Sequence, residues 1–256
     1  MNLVFASGFL VPQQFLGVNY FRGVRDHVVQ AGHGVLTATV PSTGTCEQRA
    51  QVLANAIQQE FPTGPIHIIA HSMGGLDSRT IIGNNLVGLA EPGRIASLTT
   101  LSTPHRGSPV ADLLAGPKPG DARRIFYDGI SDVIGRLGVP TGALANLTAE
   151  AASRVPDAAA THPHIRYRSY FASGRPGLLS TAFLLAPTYH YIHQVTGQDN
   201  DGVVALDSAR YGEFQQPFWE CDHVDMLGYN LDTAGVGPPI FPHLAKIDAI
   251  IATLGN

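Results

Sequence analysis

The sequence predicts an α/β fold with a mostly parallel central sheet and helices on both faces. Strand and helix patterns alternate through the first hundred residues, from an apolar strand at Leu3–Ala6 to another at Ile95–Leu101. Such alternation is typical of parallel sheets, because each crossover between parallel strands needs a connection about as long as a helix. A second observation is the apolar run Ile66–Ala70, which leads directly into a turn of small residues. With 256 residues the chain can bury one large core, so we predict a single domain over 1–256.

The other elements follow from apolar spacing and from residues that end helices or strands. A helix over Asn19–Ala31 and a strand over Val35–Val40 come first. Thr45 and Gln48 then have the spacing of a capping box, and the helix behind them shows one apolar face. Three later segments complete the predicted sheet and its covering helices: a helix at Gly75–Ile82, a strand at Phe214–Trp219 and a closing amphipathic helix at Pro242–Leu254.

The middle of the chain breaks this alternation. A helix over Arg123–Leu137 is followed by a second helix at Thr148–Val155, with no strand pattern between them. We therefore predict a helical insertion at about 113–160 that lies over the carboxyl ends of the strands as a lid; an ordinary packed helix is the alternative. The apolar stripe of the first helix consists of Phe126, Ile130, Val133, Ile134 and Leu137.

Composition excludes several classes of function. The net charge is −4 and only 14% of residues are charged, without a basic patch, which disfavours nucleic acid as a partner. No apolar stretch approaches the length of a transmembrane segment. The chain begins Met1-Asn2-Leu3 without the basic and apolar regions of a signal peptide, so we expect a cytoplasmic protein if the chain is complete and an extracellular one if a leader was removed.

The chain contains two cysteines, Cys46 and Cys221. They follow strands that we place at opposite edges of the sheet, and a disulfide needs Cα atoms within about 7 Å. We therefore expect two free thiols.

The turn after Ile66–Ala70 carries the main candidate for catalysis. Its sequence, Ala70-His71-Ser72-Met73-Gly74-Gly75, places Ser72 between a strand and a helix. A tight strand–serine–helix turn exposes the hydroxyl and aims the next backbone N–H at a developing oxyanion. Ser72 is the predicted nucleophile; a serine in an ordinary loop is the alternative. One oxyanion donor would be the N–H of Met73, and the second would come from Phe9, after Gly8.

A serine nucleophile needs a base and an acid that orients the base, and with this turn the chain order is serine, acid, histidine. Asp201, in Asp199-Asn200-Asp201-Gly202, is the predicted acid, with Asp199 as the fallback and Asp207 as a weaker choice. A turn-capping aspartate is the alternative reading of Asp201. Among 11 histidines, His223 lies just past the last apolar strand and is the predicted base. His71 flanks the serine, and we expect it to point elsewhere on the turn.

Together these segments resemble the bacterial true lipases of the α/β-hydrolase superfamily. The resemblance extends over nearly the whole chain and is carried by Leu16–Phe21, Ala70–Gly75, Ser102–Ser108, Gln198–Val204 and Asp222–Asp225. It implies an α/β-hydrolase fold, a triad of Ser72, Asp201 and His223, an oxyanion hole of Phe9 and Met73, and a mobile lid at 116–145.

The resemblance also implies a calcium ion that braces the loop of the catalytic histidine through two aspartates. Asp225 matches one of them, but Ala158–Gln198 contains no acidic residue to supply the second. Calcium affinity increases with the number of carboxylates, so we expect at most weak binding and no required cofactor. The alternative for Asp225, which we favour, is pairing with an arginine or capping of the following turn.

These observations predict a serine carboxylester hydrolase, with a lipase that cleaves acylglycerols or other apolar esters as the leading hypothesis. The same triad would serve a short-chain esterase, a polyester depolymerase or a thioesterase. The apolar stripe favours the lipase, because it would contact lipid at an interface when the lid opens. A protein that uses this fold only to bind a ligand or partner is the alternative from another class.

Overall fold

The computed structural model describes residues 1–8, 19–116, 124–136, 144–175, 180–233 and 237–255. Within these residues, six strands form one sheet in the order β2-β1-β3-β4-β5-β6, and every pair of neighbours is parallel. The strands are β1 (Asn2–Ala6), β2 (Gly34–Thr37), β3 (Ile66–His71), β4 (Ile95–Leu101), β5 (Arg166–Tyr170) and β6 (Glu213–Phe214). The parallel sheet confirms the fold class expected from the alternating pattern.

Helices connect these strands. The α-helices of the described residues are α1 (Val24–Gln30), α2 (Cys46–Glu60), α3 (Met73–Gly83), α4 (Pro109–Leu114), α5 (Arg124–Arg136), α6 (Ala149–Arg154), α7 (Ala158–Thr161), α8 (Ala186–Thr196), α9 (Leu206–Ala209) and α10 (His243–Ala252). None of the helices in the described part of the chain is long and apolar enough to cross a membrane.

The sheet has an apolar core on each face. Alternate residues of β1 point in opposite directions, so Leu3 joins one apolar cluster and Val4 joins the other. The cluster of Leu3 includes buried residues of α1 and α10, such as Val24 and Ile250. The cluster of Val4 includes buried residues of α2, such as Leu53. Helices therefore cover both faces, as predicted.

Two early elements are shorter than expected. The helix predicted over Asn19–Ala31 begins only at Val24, because Gly23 adopts a left-handed conformation (φ 68°) that an α-helix does not accommodate. The strand predicted over Val35–Val40 ends at Thr37. The capping box is confirmed: the Thr45 hydroxyl accepts from the Gln48 N–H, and the Gln48 side chain accepts from the Thr45 N–H.

The far edge of the sheet differs most from the prediction. The sequence analysis did not predict β5, because its sequence, Arg-Tyr-Arg-Ser-Tyr, mixes polar and aromatic residues and contains no apolar run. The strand predicted over Phe214–Trp219 is reduced to β6 and an isolated bridge between Ala172 and Trp219. Pro217 lies between these two pieces and has no N–H to donate to a neighbouring strand.

Both cysteines are buried and free, which confirms the expectation of two thiols. Cys46 begins α2, which follows the edge strand β2, whereas Cys221 follows β6 at the opposite edge. Burial raises the pKa of the Cys46 thiol to about 12, so this thiol stays protonated near neutral pH.

Candidate active site

The turn between β3 and α3 has the predicted strand–serine–helix geometry. Ser72 has φ 56° and ψ −132°, a conformation that residues with a side chain rarely adopt and that costs on the order of 1–3 kcal/mol. The helix leaves the strand at once, and a Cβ on Gly74 would lie 2.3 Å from the carbonyl oxygen of Ala6. Only glycine fits there, which explains the small residue two positions after the serine.

The His223 side chain lies against the same turn and is oriented by Asp201. His223 Nδ1 is 2.7 Å from Asp201 Oδ2, and both side chains are fully buried. The other carboxylate oxygen of Asp201 accepts the N–H groups of Val203 and Val204, at 2.9 and 2.7 Å. A carboxylate held in this way accepts the Nδ1 proton of a neutral imidazole and leaves Nε2 free to act as a base.

The alternative acids do not reach His223. Asp199 is exposed, and Asp207 is exposed on α9, where Gln198 and Arg210 contact its carboxylate. The backbone N–H of His223 also donates to the carbonyl of Asp201, at 3.0 Å. The structure therefore brings together Asp201 and His223, the pair favoured from the sequence.

The two atoms predicted to react are buried. Ser72 and His223 have no exposed surface, and among the described residues neither Ser72 Oγ nor His223 Nε2 has a hydrogen-bond partner. Buried polar atoms normally have partners, and exceptions mark functional positions. Hydrogen bonds between a nucleophile and its base are often long before substrate binds.

Of the two predicted oxyanion donors, the structure describes Met73 and not Phe9. Met73 is the first residue of α3, so its N–H has no acceptor within the helix and lies at the positive end of the helix dipole. Phe9 lies outside the described residues. Its neighbour Gly8 is close to the serine, because a Cβ on Gly8 would be 2.8 Å from Ser72 Cβ.

The apolar stripe of α5 faces inward. Ile130, Val133 and Ile134 are buried, whereas Ile125 on the other side of the helix is 81% exposed. Phe126 packs its ring against Tyr191 of α8, with centroids 5.4 Å apart. The remaining residue of the predicted stripe, Leu137, lies outside the described residues. Helices α4–α7 all fall between β4 and β5, where the insertion was predicted.

Three neighbours of the site were assigned no role from the sequence. His71 was expected to point elsewhere, but its ring lies 4.4 Å from that of His223, and the hydroxyl of Tyr20 is 2.8 Å from its Nδ1. Asp222 precedes His223 and is buried. Sequence features could have indicated all three residues. His71 is adjacent to Ser72, Asp222 is adjacent to His223, and Tyr20 lies in a segment, Leu16–Phe21, that carries the resemblance to the bacterial lipases.

The residues around Asp225 do not fit the calcium site that the resemblance implies. The second carboxylate is its neighbour Asp222, whose oxygens already accept the N–H groups of Ala182, Val224 and Asp225 at 2.9 Å. N–H groups that point at these oxygens occupy the directions a cation would need. Within the described ranges, no group of three His, Cys, Asp or Glu side chains could hold a metal.

The alternative roles of Asp225 are only partly realised. Its carboxylate accepts the backbone N–H of Asp222 at 3.2 Å, so it bonds back to the preceding turn, and it forms no ion pair with a described arginine. Asp222 is the residue that caps the following turn. Burial and the adjacent Asp222 raise the pKa of Asp225 to about 8.

We expect chelation to leave the protein nearly unchanged. EDTA should alter neither the turnover of an ester nor the melting temperature, because backbone N–H groups already satisfy Asp222. Thermal unfolding and initial rates after dialysis against EDTA, with and without added calcium, test this. A loss of several degrees that calcium restores and magnesium does not would reveal ligands elsewhere in the chain.

Comparison with known proteins supports the fold and the class of enzyme. No family model matches the chain. It is 29% identical over 222 residues to triacylglycerol lipase 2 of Saccharomyces cerevisiae, a match that covers 84% of this chain. It is 24% identical over 253 residues to a triacylglycerol lipase of Vibrio cholerae, covering 88% of this chain and 78% of the relative. The crystal structure of Staphylococcus hyicus lipase superimposes with a TM-score of 0.68 at 20% identity, over 98% of this chain and 94% of that one.

The chain is similar to triacylglycerol lipases in sequence and to a bacterial lipase in fold. The chain spans 64% of the length of its yeast relative. The α/β-hydrolase fold predicted from the sequence is confirmed.

Proposed function

We propose that the protein is a serine ester hydrolase that acts as a lipase on apolar acyl esters. The observation that carries the proposal is the orientation of His223 by Asp201 beside the strained Ser72 turn, with Ser72 Oγ and His223 Nε2 both left without partners in the described structure. These are the parts that an acyl transfer to serine requires.

The reaction would proceed through an acyl-enzyme. His223 Nε2 takes the proton of Ser72 as Oγ attacks the ester carbonyl, and the negative charge moves to the carbonyl oxygen. The N–H groups of Met73 and Phe9 would hold that oxyanion. The C–O bond to the alcohol then breaks, and His223 returns the proton to the leaving alkoxide. Water repeats the sequence on the acyl-enzyme and releases the acid, with His223 again acting as base and then as acid.

A series of p-nitrophenyl esters from acetate to palmitate tests the activity and the acyl preference together. We expect hydrolysis that is lost after treatment with a serine-directed phosphonate, and one phosphonyl group attached to Ser72 by peptide mass analysis. An esterase, a depolymerase or a thioesterase would keep the phosphonate sensitivity and differ in the preferred substrate. Absence of both turnover and labelling would favour a non-catalytic binding protein.

The buried stripe of α5 supports activation at a lipid surface. Because Ser72 has no exposed surface, an ester reaches it only after a covering segment moves. Movement of α5 would expose Ile130, Val133 and Ile134, which are apolar and would contact lipid. A lipid interface would therefore stabilise the open form.

We expect the specific activity to rise when the substrate forms an emulsion. Tributyrin hydrolysis followed by titration, from below to above its solubility limit, measures this, with the Ser72→Ala protein as the control for spontaneous hydrolysis. A rate that follows a single saturation curve through the solubility limit would instead indicate a fixed cap and an esterase.

A further inference from the structure

Three segments that carry predicted catalytic residues meet around the buried side chains of Tyr20 and His71. Gly8 begins the predicted oxyanion loop, His71 precedes the nucleophile, and His223 is the predicted base. The hydroxyl of Tyr20 is 2.8 Å from His71 Nδ1. On the other side of the imidazole ring, His71 Nε2 is 3.0 Å from the backbone carbonyl oxygen of His223. His71 is fully buried and Tyr20 is 5% exposed.

The hydrogen-bond acceptor at the His223 end of this series of hydrogen bonds determines which nitrogen of His71 carries the proton. A backbone carbonyl only accepts, so His71 Nε2 carries the proton that is donated to His223. In a neutral imidazole the other nitrogen is then an acceptor, so the Tyr20 hydroxyl donates to His71 Nδ1. The hydroxyl oxygen in turn lies against Gly8, where an added Cβ would approach it to 2.6 Å.

The surroundings keep His71 neutral. Burial, and then the neighbouring His223, hold the pKa of His71 well below its usual range. A neutral His71 matters because its ring lies 4.4 Å from that of His223, which becomes positively charged during the reaction. A second charge at that distance would oppose protonation of the base.

We propose that Tyr20 and His71 are positioning residues. They hold the backbone of His223 and the start of the predicted oxyanion loop in the position relative to Ser72 that catalysis requires. The proposal rests on the proposed function, because it concerns the same triad. The His71–His223 bond fixes the carbonyl of the base, and the bond of Asp201 to Nδ1 fixes its ring. The Tyr20 contact with Gly8 extends the same chain to the segment that leads to Phe9.

The chain offers matched controls for each substitution. His67 lies on the same strand as His71, is also buried and bonds to Ser97 at 2.8 Å, but it is remote from His223 in the sheet. Tyr167 donates its buried hydroxyl to the Ala158 carbonyl at 2.8 Å, as Tyr20 donates to His71. The replacements His67→Phe and Tyr167→Phe therefore remove equivalent groups away from the site.

The experiment compares kcat and KM for a p-nitrophenyl ester, per active site titrated with phosphonate. We expect His71→Phe to lower kcat about 10²-fold with KM changed less than about twofold, because a small misplacement of a catalytic group has this effect. His71→Gln should recover most of the loss, since its amide N–H reaches towards the His223 carbonyl. Tyr20→Phe should lower kcat roughly tenfold, as expected for one buried hydrogen bond. His67→Phe and Tyr167→Phe should leave kcat unchanged.

Several results would overturn the proposal. One is a kcat for Tyr20→Phe within about twofold of the unmodified enzyme, a measurement that stands even if His71→Phe fails to fold. Another is an equal loss of kcat in the His67→Phe control. Long-range ¹H–¹⁵N NMR of the imidazoles gives an independent readout, and a proton on His71 Nδ1 would contradict the chain of hydrogen bonds. If the unmodified protein neither hydrolyses esters nor reacts with phosphonate, the proposed function fails, and the NMR result still decides the hydrogen-bond chain.

Discussion

Replacement of Ser72 with alanine is expected to lower kcat for ester hydrolysis by about 10⁴–10⁶-fold, and His223→Ala by a similar factor. Members of a triad act as a unit, so loss of either residue removes the acyl-enzyme route, and the double variant should be no worse than each single one. Steady-state kinetics with a soluble ester measures the loss, and circular dichroism confirms that each variant is folded.

The same measurement identifies the acid. Asp201→Asn should lower kcat by about 10⁴-fold, because an amide cannot hold the neutral imidazole in the tautomer that leaves Nε2 free. Asp199→Asn is the matched control, since Asp199 is two residues away and exposed. Full activity of Asp201→Asn together with an inactive Asp199→Asn would show that the acid is misassigned.

The second large effect concerns stability and the buried ion pair between α2 and α3. Arg49 donates to Asp77 Oδ2 through Nε at 2.9 Å and Nη2 at 2.8 Å, and both side chains are fully buried. The guanidinium also donates to the carbonyls of Pro41 and Ser7, at 2.7 and 2.8 Å. Burial raises the pKa of Asp77, and Arg49 opposes that shift. The ionised form of Asp77 is therefore stabilised by this arginine.

We expect Arg49→Met to lower the free energy of unfolding by about 3–5 kcal/mol, because it leaves the Asp77 carboxyl buried without its partner. Replacing both residues, in Arg49→Met with Asp77→Leu, should restore part of the loss. Urea denaturation measures these values. Arg136→Met is the control, because Arg136 forms an exposed pair with Asp132 that contributes little. Equal losses in Arg49→Met and Arg136→Met would contradict the expectation.

Arg49 also shows why the sequence was only partly informative. Its position on the helix matches the apolar face of α2, where Ala50, Leu53 and Ile57 are buried. A charged residue at such a position predicts a boundary of the buried face. Its actual partners, Asp77 and the Ser7 carbonyl, are 28 and 42 positions away, and no local pattern indicates them.

The sequence by itself determined which residues are candidates for catalysis and in which order they follow one another along the chain. Strand periodicity and the small residues around Ser72 depend on local geometry, whereas the chain order of serine, aspartate and histidine follows from the fold that these local patterns predict. These patterns are therefore sufficient to indicate Ser72, Asp201 and His223 as the candidate triad. They also predict the parallel sheet with helices on both faces, because alternating elements have few other ways to pack.

Only the tertiary structure decided which neighbours hold these residues in place. The sequence pattern did not predict β5, because this segment has no apolar run. Its polar and aromatic residues form a strand by pairing with β4. The bonds of His71 to Tyr20 and His223 join residues 51 and 152 positions apart. Such contacts arise because a parallel sheet brings the carboxyl ends of distant strands to one edge, and local propensity contains no information about which side chains meet there.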